Sequence, residues 1–267
     1  MMPRMNRPRR ASRVRAGLPA VLLAAALVAA IPADSQAASD PAAIALADQV
    51  AEAMGGRDAW EKTRFLSFDF VGSRRDTVVS RRSLAWDKDT YKIFIGVKDG
   101  KGVDWKVWTD LAHKEGVVLK DGAPADSATK KAWLDRAYAV WINDTYWLLM
   151  PIKLRDPGVN LKAAGPDSTG KAHVLELSFD GVGLTPGDRY RVHVDDASKL
   201  VTGWEMLLQS SKDGLWMPVL WTDWTQVGDV KLPTRRHIPK DQVVLTFENL
   251  KTARSAPAGG SSAPAGR

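Results

Sequence analysis

The chain has 267 residues, 38 Lys+Arg against 31 Asp+Glu, a formal net charge of +7 and no cysteine. Its 45% apolar and 26% charged content is ordinary for a globular protein and excludes a disordered or collagen-like chain. The lack of cysteine excludes a disulfide scaffold, thiolate-ligated zinc, a cysteine nucleophile and a lipid-anchoring cysteine. Tryptophan (11) outnumbers both phenylalanine (6) and tyrosine (4), an unusual order.

Residues 1–37 read as a secretory signal. Six arginines from Arg4 to Arg15 precede the uncharged, Ala- and Leu-rich run Ala16–Ala33, and Ser35-Gln36-Ala37 offers small residues at a cleavage site. Removing six Arg and one Asp (Asp34) with it lowers the +7 to +2. The protein is therefore expected to be exported, to the periplasm or beyond, and soluble after cleavage near Ala37, with no stable membrane span. A nearly neutral domain lacks the clustered basic face that nucleic acid requires, so no nucleic-acid partner is expected. The pairs Arg74-Arg75, Arg81-Arg82, Lys130-Lys131 and Arg235-Arg236 are scattered among acids and read as solvated strand and helix ends.

Residues 38–254 are expected to form a single domain, because no Pro/Gly/Ser linker interrupts them. Residues 255–267 are almost entirely Ser, Ala, Pro and Gly and read as a flexible tail. A first helix is predicted from Pro41 to Met54, capped by Ser39 or Asp40, stopped by Gly55-Gly56, and striped by Leu46, Val50 and Met54. Alternation then predicts strands. Leu66, Phe68 and Phe70 share one face, as do Tyr91, Ile93 and Ile95, and Trp105 and Trp108 are assigned to one strand face. A second helical region runs from Ser127 to about Met150, capped by Asp126 or Ser127 and restarted at Asp144 or Thr145. Its apolar width exceeds that of a surface helix, which places it in the concave side of the sheet. Further strands follow at Leu175–Phe179, Tyr190–Val194, Leu200–Ser210, Leu215–Thr225 and Val243–Leu250. Short turns such as Asp99-Gly100 and Asp213-Gly214 make the pairing antiparallel. With about 10–12 such strands, a barrel, half-barrel or sandwich is expected in place of an open flat sheet.

Catalytic chemistry leaves little trace. His113, His173, His193 and His237 show no metal-ligand spacing, and His173 and His193 fall on the polar phase of their strands. No nucleophile elbow is present. Gly165 to Lys171 imitates the start of a phosphate loop, but Ala172 follows where Ser or Thr is needed and a strand follows where a helix is needed, so it reads as a hairpin loop. Asp87/Asp89 and Asp195/Asp196 fit turn positions. No catalytic residue, metal or cofactor is assigned. The tryptophans either fill a core or line a cavity for an apolar ligand.

Three stretches carry a family resemblance: Ala53-Met-Gly-Gly-Arg-Asp-Ala-Trp-Glu-Lys62, Trp141-Ile-Asn-Asp-Thr-Tyr-Trp-Leu-Leu-Met-Pro151 and Leu175-Glu-Leu-Ser-Phe-Asp-Gly-Val-Gly-Leu-Thr-Pro186. They resemble a family of uncharacterised exported bacterial proteins that is in turn similar to the outer-membrane lipoprotein-sorting carriers of the Lol type. The resemblance implies a mainly β fold with helices, an antiparallel half-barrel wrapped around an N-terminal helix and a central apolar helix, with a cavity for acyl chains. Without cysteine the chain is not expected to be a lipid-anchored receptor. The expectation is therefore a non-enzymatic protein that binds a lipid or other apolar ligand, lined by Trp133, Ala137 and Trp141 on the inner helix and Phe68 and Phe70 on the first strand. Two alternatives stand beside it: an envelope assembly factor with a protein partner, and a hydrolase using carboxylates gathered by the fold.

Overall fold

The computed structural model describes residues 39–255. The signal segment and almost all of the tail lie outside the described residues. Asp40 caps α1 (Pro41–Ala53): its Oδ1 accepts the Ala43 N–H at 2.6 Å, and Pro41 presets the first turn. Gly55 ends the helix at φ 109°, where a side chain would meet the Asp229 carbonyl oxygen at 2.4 Å. Ala43, Ala47, Val50, Ala51 and Met54 form the buried face, while Leu46 is only partly buried. The buried stripe is thus shifted around the helix and richer in alanine than the sequence suggests, which lets the helix approach its neighbours closely. A short helix that the pattern did not predict, α2 (Arg57–Lys62), follows.

Six strands precede the long helix: β1 (Phe65–Arg74), β2 (Thr77–Asp87), β3 (Lys92–Lys98), β4 (Asp104–Asp110), β5 (Glu115–Lys120) and β6 (Ala123–Pro124). After α3 (Ser127–Leu149) and a 3-10 turn at Met150–Lys153 come β7 (Val159–Pro166), β8 (Ala172–Phe179), β9 (Arg189–Asp195) and β10 (Val201–Leu207). The chain closes with β11 (Met217–Val227), β12 (Val230–Ile238) and β13 (Val243–Ala253). All pair antiparallel in one sheet, ordered β6-β5-β4-β3-β2-β1-β13-β12-β11-β10-β9-β8-β7. The first and last strands pair in the middle, and β6 and β7 are the edges. The sheet is mainly β and antiparallel, as expected, with 13 strands. The excess over the expected 10–12 includes β6, a two-residue rung; β2 is exposed over its first five residues, so burial writes no alternation there.

Three local expectations are corrected. Tyr91 sits in the turn before β3 at φ 54° and is exposed, so only Ile93 and Ile95 face the core. Trp105 and Trp108 are three apart on β4 and therefore point to opposite faces. Trp105 meets Trp133 of α3 at 5.3 Å, and Trp108 meets Phe94 at 5.0 Å. The long helix does not restart at Asp144 or Thr145. Thr145 Oγ1 donates back to the Trp141 carbonyl at 2.7 Å, and Asp144 pairs with Arg82, so both are satisfied within a continuous helix.

One turn of α3 fixes the curvature. Asp144 binds Arg82 on β2, the Trp147 carbonyl accepts from Arg236 on β12, and Tyr146 meets Trp204 on β10 and Tyr190 on β9. On a flat sheet β2 and β9 would lie about 29 Å apart at 4.8 Å per strand, against a helix about 10 Å wide. The sheet must wrap around the helix to reach it from all of these strands, and this is the half-barrel.

The edge at β7 is covered by the residues just before α1. Asp40 N–H donates to Leu161 O at 3.0 Å, Ser39 Oγ accepts Leu161 N–H at 2.9 Å, and Asp40 Oδ2 accepts Ala163 N–H at 2.7 Å. Asp40 therefore caps a helix and an open sheet edge together. The Ala163 and then the Ala43 N–H hold its carboxyl below the usual carboxylate range. A depressed folded-state pKa stabilises the fold above the unfolded value and loses that contribution as pH falls through the folded value. Thermal melts followed by circular dichroism between about pH 5 and pH 2 are expected to fall less steeply in Asp40→Asn than in the wild type. Parallel curves would remove Asp40 from this role.

Candidate functional site

The inner face of the sheet and the face of α3 laid against it form an apolar layer in which aromatic rings are set among aliphatic side chains. Phe68 and Phe70 of β1 are buried and both meet Phe247 of β13, at 5.3 and 5.1 Å. Ala137 is fully buried under α3, where its small side chain lets the helix lie close. Trp141 is half-buried against Trp86 of β2 at 5.1 Å, and Trp133 lies further along the helix on Trp105. All five residues picked out from the sequence thus face the interior. Phe70 lies in one group with Arg82, whose guanidinium sits 5.1 Å from the Phe70 ring centroid. Trp133 stands apart, over β4.

The polar groups inside this layer are what the sequence reading missed. Arg82 grips Asp144 with two parallel hydrogen bonds of 2.7 and 2.8 Å, and Asp144 has no exposure to solvent. Arg236 is equally buried. Its Cζ stacks 3.5 Å from the Trp221 ring centroid and 5.3 Å from that of Phe247. Nη1 donates to the carbonyls of Pro233 and Arg235, and Nη2 to Trp147 O at 2.5 Å, while Nε has no acceptor. Among the described residues no carboxylate pairs with it. Burial pushes its pKa well below the ordinary arginine value. The expectation that Arg81-Arg82 and Arg235-Arg236 are solvated strand ends is therefore corrected. Adjacent residues on a strand face opposite ways, so each such pair directs one arginine inward. Arg81 and Arg235 are exposed; Arg82 and Arg236 are inside.

The interior is also rich in donors. The indole N–H groups of Trp86, Trp141, Trp204 and Trp221 are buried without acceptors. By contrast, Trp105 donates to Asp99 and Trp224 to the Val201 carbonyl, each at 3.1 Å. An unsatisfied buried donor costs about 1–3 kcal/mol, and a neighbouring ring face recovers only part of that. Trp204 and Trp221 meet edge to face at 5.2 Å, so with the Arg236 Nε they form one continuous group of unanswered donors.

Two recesses indent the surface. One, near the end of α1, is lined by Asp48, Glu52, Arg57 and Arg155, and its charges answer one another: Arg155 Nη1 reaches both oxygens of Asp48 at 2.7 Å. The other, of about 600 Å³, lies in a seam between β12 and β13. These strands pair only from Arg235↔Thr246 to Ile238↔Val243. Beyond that, Pro233 offers no N–H toward β13. Lys231, on the same edge, gives its N–H to the Met54 carbonyl. Asn249, at φ 51°, bulges β13 opposite Phe68 and bends it away. Thr225, Gly228, Thr234, Phe247, Leu250 and Thr252 line the opening.

Acid–base groups lie elsewhere. His173 bonds Asp196 at 2.6 Å and His113 bonds Asp110 at 3.0 Å, both on exposed turns and strands; the Asp110 contact raises the His113 pKa. Asp87 and Asp89 both turn to Arg64, and Asp195 accepts from Ser198 in its turn. The Gly165–Lys171 segment is the β7–β8 hairpin loop, closed by Asp167 onto Thr169 and Lys171. Among the described residues no group of three or more His, Asp or Glu could hold a metal ion, and no helix is long and apolar enough to cross a membrane.

No protein-family model and no curated protein matches the sequence. Solved structures similar to this chain include a LolA superfamily protein from Nitrosomonas europaea, at 10% identity and TM-score 0.46 over 80% of this chain and 94% of that one. Others are a DUF1329 family protein from Desulfovibrio piger (13%, TM-score 0.44, 80% and 94%) and a putative outer membrane lipoprotein-sorting protein domain from Vibrio parahaemolyticus (10%, TM-score 0.36, 80% and 96%). At these scores none assigns a function.

The Arg82–Asp144 pair gives the site a measurable anchor. Removing one partner of a buried pair costs about 3–5 kcal/mol, and Asp144→Leu alone is expected at the lower end because Arg82 keeps 26% of its side chain exposed. The double variant Arg82→Met/Asp144→Leu is expected to recover most of this loss in urea unfolding. A double variant as unstable as the single one would show that the ion pair is not what holds α3.

Proposed function

We propose that the protein is an exported, non-enzymatic carrier that holds a lipid or other apolar ligand between the inner face of the sheet and the first two-thirds of α3. The observation that supports this reading is how unevenly α3 is seated. From Ser127 to Asn143 only Leu134 and Ala137 are buried, whereas Asp144, Thr145, Leu148 and Leu149 at its end all are. Polar bonds tie the helix at its C-terminal end, and the rest is seated by Leu134, Ala137 and the ring contacts with Trp86 and Trp105. An acyl chain sliding between these rings and the helix exchanges one apolar contact for another, and each CH₂ removed from water contributes about 0.8 kcal/mol. Burial of this kind is not selective for chain identity, so a range of chains is accommodated. Trp133, Ala137, Trp141, Phe68 and Phe70 form the proposed lining. The unanswered indole N–H groups favour a ligand that brings acceptor oxygens with it.

Protein expressed to the periplasm and examined by native mass spectrometry is expected to carry species of lipid mass that organic extraction removes. The extracted protein is expected to take up 1-anilinonaphthalene-8-sulfonate, with Trp141→Ala weakening uptake about tenfold, equivalent to about 1.4 kcal/mol. Protein that is always empty and never takes up the dye would sink the carrier reading.

A further inference from the structure

We propose that Arg236 is the binding group for the anionic head of a single-chain amphiphile, a carboxylate or phosphate, which reaches it through the seam between β12 and β13. The inference rests on the carrier reading above and adds to it the chemistry of the ligand's head and its route.

Three observations carry it. The first is an unmatched charge: Arg236 is fully buried, three carbonyls accept from its Nη atoms, and Nε is left with none. A buried guanidinium without an anion is costly, and neutral carbonyls offset its charge only in part. Its planar fork suits either a carboxylate or a phosphate. The second is the donor stack. Trp221 lies against the guanidinium and Trp204 against Trp221, and both indole N–H groups lack acceptors. An anionic head is what such a group of donors lacks. The third is access and continuation. Phe247 lines the seam recess and lies 5.3 Å from the Arg236 guanidinium carbon, and Pro233, whose carbonyl accepts from Arg236, is the residue that interrupts the ladder there. From Phe247 the ring contacts pass directly to Phe70 and Phe68. A head at Arg236 therefore leads its tail along β13 and β1 into the layer beneath α3.

The test uses the delipidated full chain, intrinsic tryptophan fluorescence, and three ligands of one chain length: oleate, oleyl phosphate and methyl oleate. Wild-type protein is expected to bind at least one of the two anions about tenfold or more tightly than the ester, about 1.4 kcal/mol; the tighter of the two identifies the head. Arg236→Gln is expected to abolish that preference, read as the ratio of anion to ester affinity, and Arg236→Lys to keep part of it. Equal wild-type binding of all three ligands overturns the head-group site and leaves the carrier reading intact, a result that needs no variant to fold. Binding of none of them overturns the carrier reading itself. Leu250→Trp, which narrows the seam, is expected to slow oleate uptake in stopped-flow mixing; an unchanged rate overturns the seam as the route.

Discussion

The turn of α3 from Asp144 to Trp147 is the constraint on which the remaining architecture depends. A 13-stranded antiparallel sheet has no intrinsic reason to close on a particular radius, because its twist sets only handedness. What sets the radius here is that three residues of one turn, Asp144, Tyr146 and Trp147, must reach β2, β12, β10 and β9 at once. Two of those contacts are made by long arginine side chains and two by aromatic rings. The arginines supply reach and direction, and the rings supply area. Neither alone would serve: a purely apolar contact could slide along the inner face, and a purely ionic one would leave the buried charges costly. The two-point grip of Arg82 on Asp144 fixes the register of the helix against the sheet, and the ring contacts then fill the space around it.

That arrangement divides the helix into two parts with different energetics. Its C-terminal end is tied into the fold by polar bonds from two strands, and the part before it is seated by Leu134, Ala137 and ring contacts along a half-exposed face. Local opening draws on the segments with the fewest buried contacts, so the first part of α3 belongs to the less stable end of the molecule. The polar content of the interior sharpens the same contrast. Four indole N–H groups and the Arg236 Nε are inside without acceptors, whereas Trp105, Trp224 and the buried Asp188 have ordinary partners. Asp188 accepts from Tyr190, Thr185 and the Gln209 N–H, and its charge together with burial drives the Tyr190 pKa upward. Among the described residues, the indole donors without acceptors are thus gathered in this one layer.

Much of the fold was legible because burial on one face writes a period of two into a strand. Leu66, Phe68 and Phe70, or Tyr190, Val192 and Val194, could be placed before any coordinates. The capping of both main helices by Asp40 and Asp126 followed from the same local chemistry. The interior polar residues were misread because dibasic pairs resemble solvated ends. The period of two carried the signal all along: on a strand whose two faces differ, Arg81-Arg82 and Arg235-Arg236 cannot both point outward. The same rule separates Trp105 from Trp108. Asp144 was taken for a helix restart because an acid in an apolar run usually marks a boundary, and only the partner on β2, 62 residues earlier, explains it. A partner that distant in sequence leaves no local trace.

The seam between β12 and β13 shows how the chain treats interruptions of its sheet. At β7, a true edge, Ser39 and Asp40 occupy the free N–H and carbonyl groups with side chains and backbone. Between β12 and β13 the strands are neighbours and could pair along their length, yet Pro233 withholds a donor and Asn249 bends β13 aside. Unpaired strand edges invite association, and proteins usually blunt or cover them. Here Thr252 Oγ1 donates to Val227 O at 2.9 Å across one end of the gap, and the α1 terminus takes the Lys231 N–H. The remaining opening is held apart by two residues ill-suited to a central ladder, and it is lined by Phe247, whose ring lies 5.3 Å from the Arg236 guanidinium carbon. Sheet continuity is given up beside Phe247, and Phe247 in turn borders the buried guanidinium, so the broken ladder and the incompletely matched charge share a neighbour.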